Sequence, residues 1–553
     1  MAKSSKYDSL SREQLIDKIQ KLEKERYGLV WEDKEEEVAK RCDSELPLLK
    51  EDCSREIVSD PTLPYNIIIE GDNYHSLYAL SFTHKKSIDV IYIDPPYNTG
   101  KKNEWKYNDR WVDEKDQYKH SKWLSFMSKR LRLAKSLLKS TGVIFISIDN
   151  NEMAQLKLLC DSIFGNKNFC GQIIWRKKSG GGQTDDFFVT EHEYILCYRR
   201  TPAFEWIDEA IPVSAQGYKS EDERGKYKTV KLAKWGSSAH REDRPTMYFP
   251  IMAPNKKKIY PIAPDGNLGR WRVGKKKMQT LIDEGLIAWI KDEKGEWNPY
   301  EKVYYDGDDI KILKNRSIYY SIAETGDATR LLTKMFGKKD VFPNPKPIEL
   351  IKELISHSQN TVVLDFFAGS ASTGHAVLEL NQEDGGHRKF ILCTNNENNI
   401  CTEVTYPRIQ KVINGYADVV GIPANVKYYT QTFVPVISSD NDKRELVNRS
   451  TEILCVAEDC FEKVIDRNDS RAFSVFKNDN KQMAIIYDED SIEDCITYLN
   501  EQKYDHKTII YVFSYDHTYD AEDFEGLNIN YSVKPIPEAI INVYRKISKM
   551  KKK

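Results

Sequence analysis

Runs of consecutive apolar residues recur along the chain, separated by stretches with helical spacing. Asn66 to Glu70 (NIIIE), Asp89 to Ile93 (DVIYI) and Val143 to Ile148 (VIFISI) read as strands buried on both faces. A helical stretch from about Tyr118 to Lys139 separates the last two, and Glu193 to Tyr198 (EYILCY) adds a fourth strand. Continuous apolar strands linked by helices predict a parallel sheet covered on both faces. From about Thr201 to Tyr320 the text turns polar and aromatic, with Gly and Pro punctuation and short pieces such as Lys258 to Ile262, which predicts an inserted domain. Alternation resumes with Thr361 to Asp365 (TVVLD), a helix near Ser372 to Leu380, and Lys389 to Thr394 (KFILCT). Further α/β material follows from about Val434, including Gln482 to Tyr487 and Thr508 to Phe513.

At the other end, Ser11 and Gln14 have capping-box spacing ahead of an apolar stripe of Leu15, Ile19 and Leu22. That predicts a short amphipathic helix, docked on the body or paired with another chain, with docking favoured. The expected domains are a helical extension (1–60), a first core segment (61–200), the insert (201–330), a second core segment (331–430) and a small C-terminal α/β domain (431–553). If Thr361 opens the first strand of a doubly wound sheet and Lys389 the second, the strands at Asn66 and Asp89 become the third and fourth. The fold class is then an α/β, Rossmann-like sheet, circularly permuted in sequence, with one pocket shared by its two halves.

Length and composition narrow the function. The 553 residues are too many for one core. With 40% hydrophobic and 30% charged residues the chain is an ordinary globular one, too apolar for disorder. The formal net charge of -2 lacks the basic excess of many nucleic-acid binders, so local distribution matters more. The stretch from Lys101 to Lys139 is basic and carries Trp105, Tyr107, Trp111, Tyr118 and Trp123, either a binding surface or a solvated helix face with core aromatics. The ten cysteines show no CxxC pair and no ligand spacing, so they are expected to be reduced, with no metal site. No signal peptide and no bilayer-length apolar run stand out, which predicts a soluble, cytoplasmic protein without a membrane partner.

Two strand ends carry the candidate chemistry. Asp94-Pro95-Pro96-Tyr97 follows a predicted strand directly, and its two prolines make a rigid turn at the carboxyl end, where open α/β sheets bind ligands. The turn presents a carboxylate beside an aromatic ring. An aromatic amine is a poor nucleophile because its lone pair is delocalised. Hydrogen bonds from the amine to Asp94 and to a proline-rich backbone carbonyl favour a tetrahedral nitrogen with a localised pair, and Tyr97 is placed to stack on a base. A base inside a duplex must first be extruded, at a cost of roughly a few kcal/mol.

The second strand end is Asp365-Phe366-Phe367-Ala368-Gly369-Ser370, running to Gly374: a carboxylate, then a small-residue turn into a helix. It matches neither GxGxxG nor a GK[ST] phosphate loop, which argues against hydride transfer and nucleotide hydrolysis. With Asn395, Asn396 and Glu397 at the next strand end, it forms a candidate ribose-binding pair. A third end, Glu70-Gly71-Asp72-Asn73, has similar chemistry. His75, His120 and His375 are read as structural, because this chemistry needs no imidazole base.

These residues resemble the β group of amino-methylating DNA methyltransferases. The resemblance rests on EGDN at Glu70, YIDPPYNTG at Tyr92, HSKWLSFMSKRLRLAK at His120 and FISIDNNE at Phe145. It continues with FPNPKPIELIKEL at Phe342, LDFFAGSASTGHA at Leu364 and TNNEN at Thr394, and it spans about residues 20–430. The overall plan is similar to the Mod subunits of type III restriction-modification systems. The resemblance implies methyl transfer from S-adenosylmethionine to adenine N6 in double-stranded DNA, with Asp94 to Tyr97 catalytic. It implies that the cofactor lies on Asp365 to Gly369, Ser370, Gly374, Asn395 to Glu397 and Gly71 to Asn73, with Lys346 near its methionine end. It also implies that the insert reads DNA, that the chain forms a homodimer, and that a separate ATPase–nuclease subunit does any cutting. The leading Asp favours adenine over cytosine as a family tendency. Ala371 departs from the pattern, standing where many relatives have glycine. The alternatives are a solitary methyltransferase acting on adenine N6, cytosine N4 or RNA, and a DNA-binding specificity subunit that needs a partner.

Overall fold

The computed structural model describes residues 10–24, 31, 36–99, 118–180, 187–206, 209–212, 214–307, 310–356, 361–466, 472–502, 504–516 and 518–551. The expectations for Trp105, Tyr107 and Trp111 lie outside these residues. The chain divides into two compact units, one of residues 1–206 and 316–553, the other of residues 207–315.

The first unit is built on a ten-stranded sheet. In chain order its strands are β1 (Glu45–Glu51), β2 (Tyr65–Glu70), β3 (Ile88–Ile93), β4 (Leu138–Ile148), β5 (Phe169–Arg176), β6 (His192–Arg199), β7 (Ile318–Tyr319), β8 (Val362–Asp365), β9 (Lys389–Thr394) and β10 (Asn425–Pro435). Their order across the sheet is β1-β10-β2-β9-β8-β3-β4-β6-β5-β7. The central run from β10 to β4 is parallel throughout. The expected permutation is therefore present: strands from the C-terminal half (β8, β9) sit between strands from the N-terminal half (β2, β3). The helices that cover it include α1 (Asn73–Thr83), α2 (Lys119–Leu137), α3 (Met153–Phe164), α4 (Ile348–Ile355) and α5 (Ser372–Asp384). Both faces of the sheet are buried, so Ile68, Ile69, Ile91, Ile93, Ile144 and Ile146 are each wholly enclosed.

Two details differ from the sequence expectation. The strand at Glu193 to Tyr198 is not parallel: β6 runs antiparallel to both β4 and β5, because β5 and β6 form a hairpin and a hairpin reverses direction. The first sixty residues are not only helical. β1 closes one edge of the main sheet, pairing antiparallel with β10 along its whole length. The helix Arg12–Lys24 forms with its capping box, Ser11 and Gln14 bonding each other's backbone N–H. Of the predicted stripe, Leu15 is half-buried and Ile19 is 54% exposed.

The C-terminal segment has its own five-stranded sheet, in which Lys481–Ile486, Lys507–Phe513 and Tyr531–Ile536 run parallel. It is not detached: Tyr544 packs with a tilted ring against Tyr78 of α1 at 5.0 Å, and its hydroxyl donates to the Pro47 carbonyl of β1. The second unit is narrower than the expected 201–330, because β7 returns the chain to the main sheet beside β5. It has a four-stranded antiparallel sheet and a small core of Leu232, Ala233, Ile251, Trp271, Met278 and Leu281. All ten cysteines are free, and no described helix is long and apolar enough to cross a membrane.

Candidate functional site

The Asp94 loop and the Asp365 turn leave neighbouring strands. β3 and β8 pair in parallel, Ile91 opposite Leu364, so the chain exits both at the same carboxyl edge of the sheet. Two motifs about 270 residues apart in sequence thus leave the sheet side by side.

Asp94 is held from two sides. Its Oδ1 accepts from the Tyr97 hydroxyl at 2.7 Å and its Oδ2 from the Lys346 ammonium at 2.8 Å. Lys346 is also 2.9 Å from the Tyr97 oxygen and 3.3 Å from Glu193 Oε2. Burial works against its charge, but Asp94 and Glu193 hold the ammonium above its usual range. Glu193 is buried at the start of β6, and sequence reasoning did not single it out. The Tyr97 oxygen, whose proton is nearer Asp94, lies 3.1 Å from its Oε2, and Lys177 lies 3.1 Å from its Oε1. Burial opposes the Glu193 charge, yet Lys346 and Lys177 keep its carboxyl below the usual carboxylate range. The only signal in the sequence was an acidic residue opening an apolar strand. Burial first, then the charges of Asp94 and Glu193, push the Tyr97 hydroxyl well above its usual value, so it stays protonated and donates.

The backbone of the loop is fixed from α2. Trp123, fully buried, donates its indole N–H to the Pro96 carbonyl at 2.7 Å. It is therefore a core residue of the basic stretch, while Tyr118 is 60% exposed. Asn98 closes the loop with φ +58° and donates to Glu152, which also holds His120 at 2.7 Å. His75 meets the Val38 carbonyl, and His375 lies buried beside Glu379, so all three histidines have structural partners.

In the second turn, Asp365 is 3% exposed and accepts from the Phe367 N–H and from Thr373. Burial pushes its carboxyl up to about 7, against those two hydrogen bonds and with help from the charge of Asp94. Phe366, Phe367, Ala368 and Ser370 are buried, whereas Gly369 is half-exposed. Gly369 has φ +47°, and a Cβ there would come within 3.0 Å of the Phe342 ring, so the backbone and that ring are in direct apposition. Ala371 is left-handed as well, at φ +62°, a strain of about 1 kcal/mol that a glycine would not carry. Gly374 lets α5 pack closely, since a Cβ there would meet Ile409 and Leu392 below 3 Å.

At the end of β9, Asn395 and Asn396 are half-buried and Glu397 is exposed. Asn396 Oδ1 accepts from Thr402. The Gly71 to Asn73 end is more enclosed. The Gln431 side chain fills the space above Gly71, and Asp72 caps α1. Asn73 is wholly buried, with Nδ2 donating to the Phe366 carbonyl and Oδ1 accepting from Arg130. It is placed to fix the Asp365 turn from below. Among the described residues no cluster of three His, Cys, Asp or Glu is set to hold a metal.

The model of a DNA methylase family matches residues 88–434. The EcoPI Mod subunit, a type III restriction-modification enzyme of Escherichia phage P1, is 34% identical over 428 residues, 68% of this chain and 64% of that protein. The type II methyltransferase M.KpnI of Klebsiella pneumoniae is 35% identical over 61% of this chain and 82% of that protein. The StyLTI Mod subunit of Salmonella typhimurium is 33% identical over 63% of this chain and 56% of that protein. The match thus spans less than two thirds of each of these two Mod subunits.

Proposed function

Because the chain belongs to the DNA methylase family, whose model covers residues 88–434, we propose that it transfers the methyl group of S-adenosylmethionine to N6 of adenine in double-stranded DNA. One observation carries the reading: the Asp94 carboxylate and the Asp365 turn stand side by side at the carboxyl edge of a parallel sheet. When bound, the donor supplies an electrophilic methyl group on a sulfonium.

The residues fit such a donor. Gly369 turns the backbone at φ +47°, which a larger residue would resist, and Asp365 offers a buried carboxylate to a cation. Asp94 accepts a hydrogen bond from the target amine, and the loop's backbone offers a second acceptor. The Pro96 carbonyl already accepts from Trp123, which favours Pro95 for that role. As the new C–N bond forms and the S–C bond breaks, the amine acquires a positive charge, which Asp94 stabilises before the surplus proton leaves. The insert is the DNA-reading part of this proposal: residues 207–315 hold 21 Lys and Arg against 17 Asp and Glu, although the whole chain carries -2. Trp235 is 62% exposed there, with Lys231 over its ring. Homodimeric assembly and a cytoplasmic location belong to the same reading. A type III system with a separate ATPase–nuclease is favoured by the Mod relatives. Action without such a partner is favoured by the 82% coverage of the type II enzyme.

The test is to incubate purified protein with isotopically labelled S-adenosylmethionine and unmethylated bacterial DNA, then resolve the nucleosides. Labelled N6-methyladenine is the expected product. Label in cytosine would overturn the choice of base, and no label at all the reading itself.

The carboxyl of Asp365 adds a pH signature. With its pKa raised to about 7 it is largely protonated below neutrality and charged above. A cationic ligand favours the charged form, so donor binding should release a fraction of a proton near pH 7. Affinity should rise as pH passes upward through 7 and then level off. Calorimetry in two buffers of different ionisation enthalpy counts the proton; a count of zero would place the cation away from Asp365.

A further inference from the structure

Both oxygens of the carboxylate that must receive the target amine are already engaged, one by a hydroxyl and one by an ammonium. A carboxylate 2.8 Å from an ammonium is a weaker acceptor for an amine N–H, because its charge is already compensated. The same two donors are shared with a second acid. Tyr97 lies 2.7 Å from Asp94 and 3.1 Å from Glu193, and Lys346 lies 2.8 Å and 3.3 Å from them. Glu193 is itself fixed, by burial and by Lys177 on its other oxygen. Both donors need shift only a fraction of an ångström to change partner.

We propose that Glu193 is the positioning residue that takes Lys346 and Tyr97 from Asp94 when the target amine enters, leaving that carboxylate to the amine. The idea rests on the methyltransferase reading above. It assigns Lys346 to the charge balance of the catalytic loop, keeping half-buried Asp94 compensated while no base is present. No proton moves in the exchange: an ammonium and a hydroxyl change acceptors, and the cluster of Asp94, Glu193, Lys346 and Lys177 stays neutral overall. The reversal of β6 makes this possible, since Ile148 at the end of β4 pairs with Tyr194, which puts Glu193 past the carboxyl end of β4 while it still pairs with Trp175 of β5.

Four full-length proteins test it: wild type, Glu193→Gln, Lys346→Met and the double variant. Each is assayed for single-turnover methyl transfer to unmethylated bacterial DNA, with donor affinity measured by calorimetry. Glu193→Gln is expected to transfer about 100-fold more slowly while binding donor as before, a loss in the chemical step alone. Lys346→Met should still turn over, and in that background Glu193→Gln should cost far less than in the wild type, because only the Tyr97 hydroxyl is left for it to draw from Asp94. Additive losses, a Glu193→Gln protein at wild-type rate, or a loss traced to donor affinity would each overturn the proposal. An inactive Lys346→Met protein would too, by giving the lysine an indispensable part of its own. A wild type without transfer would instead sink the functional reading on which the inference stands.

Discussion

Asp94→Asn is expected to lower methyl transfer about a thousandfold while leaving donor binding in place, the range seen when a charged group that stabilises a transition state is removed. The change keeps size and shape, so the proline turn and its Trp123 bond persist. What changes is the character of the oxygens. An amide retains one acceptor and replaces the other with an NH2 group. If that group takes the place of Oδ2, it faces the Lys346 ammonium, donor against donor. If it takes the other place, it meets the target amine instead. Either way the charge that offsets the positive nitrogen of the transition state is gone. Lys346 keeps Glu193 as a counter-charge, so the fold should survive, and a melting curve run beside the assay verifies it. Transfer by Asp94→Asn within tenfold of wild type would remove Asp94 from the reaction.

The second large effect is on stability and lies below the site. Asn73→Ala should cost about 3 kcal/mol, because it strips two buried groups of partners at once. Arg130 is 1% exposed and has its Nε on Asn73 at 2.6 Å, its Nη1 on Glu36 at 2.9 Å, and the Phe126 ring 3.6 Å beneath its guanidinium. Without the carboxamide the Nε–H has no acceptor, and the Phe366 carbonyl loses its donor. A buried charge with a missing partner is the costly case, since water cannot reach in to replace it. Asn73→Asp keeps an acceptor for Arg130 and loses only the donor to Phe366, so it should be the milder change. Because Phe366 follows Asp365, the alanine variant should also bind donor less tightly. Urea unfolding of both variants reads the ranking. A cost below about 1 kcal/mol for the alanine would mean that Arg130 finds another partner.

Much of this was legible in the chain. The apolar runs NIIIE, DVIYI, VIFISI and VVLD became strands β2, β3, β4 and β8, because a strand buried on both faces must be apolar at every position. The carboxylates came with them, since Asp94 and Asp365 close or follow such runs and a turn must come next. Even the permutation could be inferred, because it concerns strand order, which handed crossover connections restrict to few solutions.

Direction and partnership were another matter. EYILCY is equally apolar whichever way it runs, so the pattern could not show that β6 is antiparallel; only the hairpin with β5 decides that. That reversal carries Glu193 to the functional edge, where a parallel strand would have its last residue instead of its first. Glu193 and Arg130 were hidden for a related reason: a buried charge has no periodicity of its own, and its sense depends on counter-charges elsewhere in the chain. The sequence by itself determined which segments are strands and which residues leave their ends. Tertiary structure alone decided which charges meet there, because pairing depends on distances across the sheet rather than on spacing along the chain.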